Sequence, residues 1–353
     1  MLPRGMKAGA KMAVTLKDVA KKAGVSPATV SYALRGGQYV SPATMKKVMK
    51  AAKALGYTTN MSARSLRYGK TKIIEVVVHE LDIPYYYSKL AATAVPAINR
   101  EGYQALVLQT GLDAGNVKEA VDGISNQICD GVILNATGID ANEIKRLSMN
   151  RPTVLLDDCT PEPVLDTVMT PNREGARIAT RHLIEQGCRS VAAVGIGYVS
   201  PTAIGVQVGT SKERFEGVRE ALAENGMGLT ERQCLACDWL VEPGREIAHQ
   251  LADVGMPFDG LFCASDSLAF GLIRGFADRG IRVPDDVLIT GFDGISLGEY
   301  TVPSISTVRI DMKDLVDKAI RLLLDRIDGI YDGEPRREVA GYDFVVRGSS
   351  TRA

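Results

Sequence analysis

Hydrophobic and polar residues follow two different periods along the chain. Between Val14 and Leu55, apolar residues recur every three to four positions, which is typical of amphipathic helices. From Ile73 onward, short continuous apolar runs such as IIEVVV (73–78) and GVILN (131–135) alternate with longer amphipathic stretches. The first pattern predicts a small helical unit. The second predicts strands that are buried on both faces, with helices between them.

The helical unit is predicted to contain three short helices. Gly24 and Gly56 end the first and the third, because glycine readily adopts the left-handed conformation beyond a helix end. Ser26-Pro27 and Ser41-Pro42 start the second and the third, since serine caps a helix and proline suits its first turn. The predicted inward-facing residues are Leu16, Val19, Ala20 and Ala23, then Val30, Ala33 and Leu34, then Met45, Val48, Met49, Ala52 and Leu55.

The spacing of the first two helices is typical of a DNA-binding helix-turn-helix. Ala20, Gly24 and Val30 allow the two helices to cross closely. The second helix then has an outward face, which consists of Ala28, Thr29, Ser31, Tyr32 and Arg35. The alternative is an ordinary helical hairpin in a protein core, and the distribution of charge distinguishes the two.

Basic charge is concentrated in this N-terminal unit. Residues 1–70 contain 14 lysines and arginines and one acidic residue, Asp18, which gives a balance of +13. The remaining 283 residues contain 28 basic and 41 acidic residues, a balance of −13. A small, strongly basic unit indicates phosphate binding, so we predict that the helix-turn-helix binds double-stranded DNA.

The second part of the chain predicts two doubly wound α/β subdomains. Further apolar runs lie at 105–109, 153–157, 190–195, 260–265 and 287–293, and helical stretches lie at 88–101, 116–127, 173–186, 212–225, 244–254, 267–279 and 311–328. These elements are too many for one sheet of ordinary size. Ligands of such sheets bind outside the carboxyl ends of the strands, so we expect a small molecule in a cleft between the subdomains.

Composition narrows the class of protein. A chain of 353 residues with 45% hydrophobic residues can form two or three packed units. No apolar run approaches the roughly 18 residues of a membrane span, so we expect no membrane partner. Residues 1–13, expected to be a disordered tail, lack the apolar segment of a secretory signal. Six scattered cysteines fit a reducing compartment, so we expect a cytoplasmic location.

Three residues in the second part have side chains suited to a sugar site. Trp239, the one tryptophan of the chain, offers a flat face to a sugar ring. Asp293, at the end of the VLITGFD run, can accept hydrogen bonds from hydroxyl groups. Arg214 offers a fork of donors at the start of a helix. The alternatives are a core aromatic for Trp239, a turn carboxylate for Asp293 and a surface salt bridge for Arg214.

Other motifs do not support catalysis or a cofactor. Cys234 and Cys237 have the spacing of a metal or redox pair, but neither a second pair nor a nearby histidine accompanies them. Gly195-Ile-Gly197 lacks the third glycine of a dinucleotide site, and the sequence has no GxxxxGK phosphate loop. The sequence shows no nucleophile–base set or metal cluster, so we expect neither an enzyme nor a cofactor.

The motif TLKDVAKKAGVS (15–26), followed by ATVS and by ARSL (63–66), resembles the lactose-repressor (LacI/GalR) family of bacterial transcription regulators. The segments NREGARIATRHLIEQG (172–187), RFEGVREAL (214–222), ASDSLAFG (264–271), VPDDVLITGFD (283–293) and EYTVPSISTV (299–308) extend the resemblance over nearly the whole chain. The resemblance implies an α/β fold with a helix-turn-helix head, a hinge and two parallel-sheet subdomains like those of periplasmic binding proteins.

The resemblance also implies which residues contact DNA. The base-reading positions of the family fall on Pro27, Ala28 and Tyr32, and many members have arginine where this chain has Tyr32. In the family, the hinge folds on the operator and a leucine enters the minor groove, and the matching residue here is Leu66. The complete set implied to contact DNA is Thr15, Ser26, Pro27, Ala28, Thr29, Ser31, Tyr32, Asn60, Ala63, Arg64 and Leu66.

The family clamps a small effector, commonly a sugar, between its two subdomains. Positions that line its cleft fall on Arg214, Trp239, Ser265 and Asp293, and Tyr85 and Tyr86 are expected to close the cleft from the other side. Sugar-binding relatives often have asparagine where this chain has Ser265, which leaves the identity of the sugar open.

Together these features predict an effector-responsive repressor of carbohydrate-utilisation genes that binds a pseudo-palindromic operator as a dimer. No leucine heptad follows the last strand, so nothing in the sequence supports the tetramerisation helix that some members of the family have. The predicted divisions are a helix-turn-helix domain at 14–59, a hinge at 60–70 and an effector domain at 71–353. Its first subdomain takes 71–187 and 308–338, and its second takes 188–307 and 339–353. A regulator co-repressed by a purine or another metabolite, and a solute-binding transport protein of the same two-lobed fold, are the alternatives.

Overall fold

The computed structural model describes residues 14–34, 40–57, 70–81, 86–111, 115–116, 118–119, 129–135, 139–149, 151–200 and 209–352. The chain divides into two compact units, with the boundary between Thr71 and Lys72. The expected tail at 1–13, the hinge residues 60–69 and most of the helix expected at 116–127 lie outside the described residues.

The first unit contains three packed helices, α1 (Leu16–Ala23), α2 (Pro27–Ala33) and α3 (Pro42–Leu55). The start of α1 is held by a reciprocal capping box, in which the backbone N–H of Thr15 donates to the Asp18 carboxylate at 2.8 Å. Gly24 leaves α1 with a left-handed φ of 67°, which a glycine adopts without strain. The shared core consists of Val19, Ala20, Val30, Ala33, Val48, Ala51 and Ala52.

One predicted core residue of this unit is wrong. Met49 is 54% exposed, and Ala51 is buried in its place. The face of α3 that packs against the other helices passes through Val48, Ala51 and Ala52. Met49 follows Val48 directly and so points about 100° away from it around the helix.

The second unit contains two sheets. The first consists of β1 (Ile73–Val78), β2 (Gln104–Gln109), β3 (Gly131–Asn135), β4 (Thr153–Leu156), β5 (Asp166–Met169) and β11 (Arg337–Val339), in the order β11-β5-β4-β3-β1-β2. The second consists of β6 (Val191–Val194), β7 (Cys234–Leu235), β8 (Gly260–Cys263), β9 (Leu288–Asp293), β10 (Ser306–Ile310) and β12 (Tyr342–Val345), in the order β12-β10-β9-β8-β6-β7. β12 runs antiparallel to β10, and the other described pairs are parallel.

Helices cover both sheets, and this explains why most strands are continuous apolar runs. α4 (Tyr86–Arg100), α5 (Ala141–Leu147) and α10 (Met312–Ile327) belong with the first sheet. α6 (Asn172–Glu185), α7 (Thr210–Glu224), α8 (Val241–Asp253) and α9 (Asp266–Asp278) belong with the second. None of the helices in the described ranges combines the length and apolar composition that a membrane span requires.

The chain passes from one sheet to the other after β5, after β10 and between β11 and β12. α6 packs on β8, β9 and β10, so the first crossing lies near residue 170 rather than at the predicted 187. Gly175 of α6 packs closely on the second sheet, since a Cβ at this position would lie 2.8 Å from the Phe292 ring. β10 pairs with β9, so the second crossing follows Ile310 instead of preceding residue 308.

Hydrogen bonds join the three crossings to one another. The backbone N–H of Asp311 donates to the Gly341 carbonyl at 2.8 Å, and the N–H of Ala340 donates to the Met169 carbonyl at 2.8 Å. The crossings therefore form one connected region between the two lobes.

Candidate functional site

The first unit presents the outward face of α2 to solvent. Pro27 and Ala28 are exposed, and Tyr32 is 43% exposed, whereas Thr29 and Ser31 are half-buried. Lysines add positive charge to the exposed surface of the same unit, namely Lys17, Lys21, Lys22, Lys46, Lys47, Lys50 and Lys53.

Two residues expected at the DNA surface also hold helix ends. The Thr15 hydroxyl donates to Asp18 at 2.7 Å, and the Ser26 hydroxyl accepts the N–H of Thr29 at 3.0 Å. Both side chains therefore fix the start of a helix. The expected hinge contacts, Asn60, Ala63, Arg64 and Leu66, lie outside the described residues.

The second unit contains a cavity of about 430 Å³ between its two lobes, at the carboxyl ends of the strands. The structure brings together five of the expected effector residues in its wall: Tyr86, Arg214, Trp239, Ser265 and Asp293. Tyr85 lies outside the described residues. The volume falls within the range of roughly 300–1,000 Å³ that is usual for small-molecule pockets.

Arg214, in the first turn of α7, is the central cation of the cavity and is buried. Its Nε donates to Asn172 Oδ1 at 2.8 Å, and its NH1 group donates to the Ala264 carbonyl. The guanidinium group lies 3.7 Å from the centre of the Phe292 ring and 4.4 Å from that of Trp239. Burial lowers the pKa of Arg214, although Asp293 and Asp157 favour its charged form. The alternative of a surface salt bridge is therefore wrong.

Asp293 ends β9 and faces Arg214, with 3.9 Å between its Oδ1 atom and the arginine NH2 group. Burial raises the pKa of Asp293 well above the usual value, and the nearby Arg214 only partly offsets this effect. Its φ of 108° is a conformation that non-glycine residues rarely adopt. A strained, buried carboxylate beside a buried arginine is typical of a functional site.

Trp239 and Ser265 are fixed by their own hydrogen bonds. The Trp239 ring N–H donates to the Gly195 carbonyl at 2.7 Å, which sets the plane of the indole. Ser265 caps α9, because its hydroxyl accepts the N–H of Leu268 at 3.2 Å. The Ser265 hydroxyl lies 3.4 Å from the Trp239 carbonyl as well. Ser265 therefore shapes the wall and has little free hydrogen-bonding capacity.

Asp157 is a cavity residue that the sequence interpretation missed. It follows β4, lies across the cavity from the second lobe and has a φ of 58°. Its Oδ1 atom accepts three hydrogen bonds, from the N–H and hydroxyl of Thr170 at 2.7 Å each and from the Asn172 amide at 3.2 Å. None of these bonds uses Oδ2. Burial raises the pKa of Asp157 despite the hydrogen bonds.

Tyr86, at the start of α4, has a buried hydroxyl group that finds no hydrogen-bond partner among the residues that the structure describes. Burial and the neighbouring carboxylates Asp157 and Asp293 raise its pKa well above the usual value, so the hydroxyl stays protonated and can donate. An unsatisfied buried donor is costly, and a ligand in the cavity could satisfy it.

Other polar residues complete the wall on the side of the first lobe. Glu80 follows β1 and Asn135 ends β3, and both line the cavity. The Asn135 amide oxygen lies 3.0 Å from His79 Nε2, and the imidazole ring of His79 stacks edge-on against Tyr87 at 5.4 Å. The signal for Asn135 and Asp157 was present in the sequence, since each polar residue closes a predicted strand, GVILN and TVLLD.

The described residues contain no group of three or more histidines, cysteines or acids that could hold a metal ion. Cys234 and Cys237 are partly buried, and burial raises the pKa of both thiols, to about 11 for Cys234. Thiols of high pKa are poor nucleophiles and poor metal ligands at neutral pH. The cavity is thus suited to binding a polar ligand by hydrogen bonds.

Comparison with known proteins agrees with this geometry. Residues 15–60 match the family described as bacterial regulatory proteins, lacI family, and residues 180–350 match the periplasmic binding protein-like domain. The ribose operon repressor of Halalkalibacterium halodurans is 32% identical over 315 residues, which cover 89% of this chain and 90% of the repressor.

Two further proteins resemble most of the chain. The HTH-type transcriptional repressor PurR of Mannheimia succiniciproducens is 30% identical over 315 residues, covering 89% of this chain and 92% of PurR. The solved structure of the transcriptional regulator CelR in complex with cellobiose is 29% identical, with a TM-score of 0.69 over 95% of this chain and 99% of that chain.

Proposed function

This chain belongs to the lacI family of bacterial regulatory proteins, and on that premise we propose that it is a transcriptional repressor controlled by a small sugar-like effector. The basic helix-turn-helix unit binds the operator, and the cavity around Arg214 and Asp293 binds the effector. One observation carries the proposal: donors and acceptors of both lobes converge on one cavity, in which the Tyr86 hydroxyl has no partner among the described residues.

Sugar recognition is supported by relatives as well as by chemistry. The relatives include a ribose operon repressor and a regulator solved with cellobiose. In the cavity, an aromatic plane at Trp239 is combined with acceptors at Asp157 and Asp293, which suits a ring that carries several hydroxyl groups. A purine is the second candidate effector, since PurR is also a relative and a base could stack on the same aromatic residues.

We propose that the repressor is a homodimer in the cytoplasm, because a pseudo-palindromic operator requires paired heads. Exposed apolar side chains support self-association: Tyr300 is 80% exposed and Val302 is 93% exposed, and Leu297 lies nearby in sequence. Large apolar side chains that are this exposed and this close in sequence are suited to an interface. Sedimentation analysis should give the mass of a dimer, and a monomer at micromolar concentration would contradict this part of the proposal.

DNA binding is tested by selecting operator sequences from random duplexes with the full chain and then measuring affinity against salt. The head releases condensed counterions from several phosphates, so log affinity should fall steeply with log salt concentration. A slope near zero, or no enrichment of any sequence, would contradict the DNA-binding role.

Thermal denaturation with neutral sugars, hypoxanthine and guanine then separates the two effector classes. A ligand at 100 times its Kd should add about 2.7 kcal/mol to the stability.

A further inference from the structure

The charge on the cavity wall restricts the chemistry of the effector. Four carboxylates line the cavity, those of Glu80, Asp157, Asp238 and Asp293. Among the described lining residues, Arg214 is the sole basic side chain. With every group ionised, the wall therefore carries an excess of three negative charges, which repels an anionic ligand.

Arg214 is surrounded by groups of the protein that offset part of its positive charge. Two of its nitrogens donate within the protein, to Asn172 and to the Ala264 carbonyl, and its remaining NH2 group faces Asp293 at 3.9 Å. Aromatic rings of Phe292 and Trp239 lie against the guanidinium plane. A phosphate that approached this arginine would therefore also approach the Asp293 carboxylate, which repels it.

Segments outside the described residues do not supply the missing positive charge. Between residues 71 and 353, those segments contain no lysine, arginine or histidine, and they contain three further aspartates, Asp82, Asp113 and Asp122. No placement of these segments therefore makes the cavity wall less negative.

Two effects oppose the negative wall, and neither reverses it. Burial raises the pKa of Asp157 and Asp293, but even if both were neutral, Glu80 and Asp238 would still outnumber Arg214. The N-termini of α4, α7, α8 and α9 border the cavity and contribute a partial positive charge of roughly half a unit each, which together is less than the excess of three negative charges. The net charge of the wall therefore stays negative with the two aspartates neutral, and it stays negative with the helix N-termini included.

We propose that the cavity selects sugars that carry no anionic group and rejects sugar phosphates and sugar acids. The inference rests on the proposed sugar response and adds the charge class of the effector. Asp157 Oδ2 and the Tyr86 hydroxyl offer an acceptor and a donor to neutral hydroxyl groups, whereas a phosphate would meet the four carboxylates.

The test is thermal denaturation and calorimetry of the full chain with matched probes: D-ribose and ribose 5-phosphate, and D-glucose, glucose 6-phosphate and D-gluconate, together with cellobiose. We expect a neutral sugar to stabilise the chain, and its anionic counterpart to bind at least tenfold more weakly. The inference would be overturned if an anionic probe bound as tightly as its neutral counterpart, or if only anionic probes bound. Either result would leave the sugar response intact. Stabilisation by no probe would contradict the sugar response and the inference with it.

Charge-neutralising variants test the cause of the discrimination. Glu80→Gln and Asp157→Asn each remove one negative charge from the wall and should narrow the ratio of neutral to anionic affinity at least threefold. Asp253→Asn removes the same charge from an exposed site on α8 and should leave the ratio unchanged. If all three variants keep the wild-type ratio, shape rather than charge selects the ligand, and the inference is wrong.

Discussion

At the scale of single residues, the two lobes place matching carboxylates at the cavity. Asp157 follows β4 and Asp293 ends β9, and both have a positive φ that is rare outside glycine. Such conformations cost of order 1–3 kcal/mol each and persist where the surroundings enforce them. The strain therefore aims two acceptors at one ligand from opposite sides.

The Tyr86 hydroxyl provides a clean test of ligand contact. Tyr86→Phe removes a buried donor that has no partner in the structure, so the stability of the unliganded protein should stay within about 0.5 kcal/mol of wild type or rise. Affinity for the stabilising sugar should fall roughly two- to tenfold, because the hydrogen bond made on binding is lost. Calorimetric titration and thermal denaturation measure both quantities.

Tyr103→Phe is the matched control, because the Tyr103 hydroxyl is also buried, has no partner in the described part of the chain and does not line the cavity. It should leave sugar affinity unchanged. Equal affinity of wild type and Tyr86→Phe would remove Tyr86 from the binding site.

Tyr32 is the residue at which operator preference is expected to differ from that of other family members. It is exposed on α2 and carries no charge, so Tyr32→Ala should relax base preference more than it weakens non-specific binding. Each base position normally contributes roughly 1–3 kcal/mol of discrimination. Selection from randomised operators should show a loss of base preference at one position of each half-site. An unchanged base preference would mean that Tyr32 does not read a base.

At the scale of elements, glycines allow helices to pack closely over the second sheet. A Cβ on Gly217 of α7 would overlap the carbonyl oxygen of Arg173 in α6. Gly217→Ala should therefore destabilise the second unit by about 1–3 kcal/mol or more. Gly228→Ala is the control, since nothing lies within 4 Å of its added Cβ. Chemical denaturation of both variants checks this, and equal midpoints would show that α6 and α7 move apart without cost.

The C-terminal segment makes stability depend on pH through His182. Its Nε2 atom lies 2.7 Å from the Ser350 hydroxyl, and burial lowers the pKa of His182 below the ordinary 6.5. The folded state then binds fewer protons than the unfolded state just below pH 6.5, so stability falls as the pH decreases through this window, by at most about 1.4 kcal/mol per pH unit.

His182→Gln removes this titrating group, so the variant should lose less stability than wild type between pH 7 and pH 5. Denaturation curves at several pH values give the free energy of unfolding of both proteins. The quantity to compare is its slope against pH, not its absolute value. Parallel slopes would show that His182 is not responsible.

The periodicity of the sequence predicted most elements because their burial is uniform. β1 and β3 are buried on both faces, and their apolar runs coincide with the observed strands. β5 (Asp166–Met169) could not be identified in this way, since it is short and begins with an acid. Asp166 is buried only because Arg326 and Arg336 bind it, through bonds of 2.8–3.0 Å. Partners so distant in sequence leave no local pattern.

The residues of the cavity could be predicted from the sequence only in part. Arg214 and Asp293 have functional groups that suggest a site, and the family resemblance supplied their pairing. Asp157 closes a predicted strand and so had a signal in the sequence, but which residues of the second lobe it faces depends on how the two lobes are placed, which no local pattern encodes. Ser265 shows a different case, because the family resemblance placed it in the cleft and its hydroxyl caps α9.

At the scale of the whole molecule, sequence charge separates the chain into a basic DNA-binding part and an acidic effector-binding part. The cavity also contacts the region where the chain crosses between lobes, since Asp157 holds Thr170 at the first crossing through two 2.7 Å hydrogen bonds. A ligand that binds Asp157 can therefore favour one arrangement of the lobes, which is the differential affinity that allostery requires.

The most direct test of this account is operator affinity with and without the sugar that best stabilises the chain, measured by fluorescence anisotropy. We predict that saturating sugar changes the operator affinity of wild type at least tenfold. Asp293→Asn should keep its operator affinity without sugar and require at least tenfold more sugar for the same change, because a buried partner of the ligand is altered. Equal operator affinity of wild type with and without the bound sugar would contradict the account.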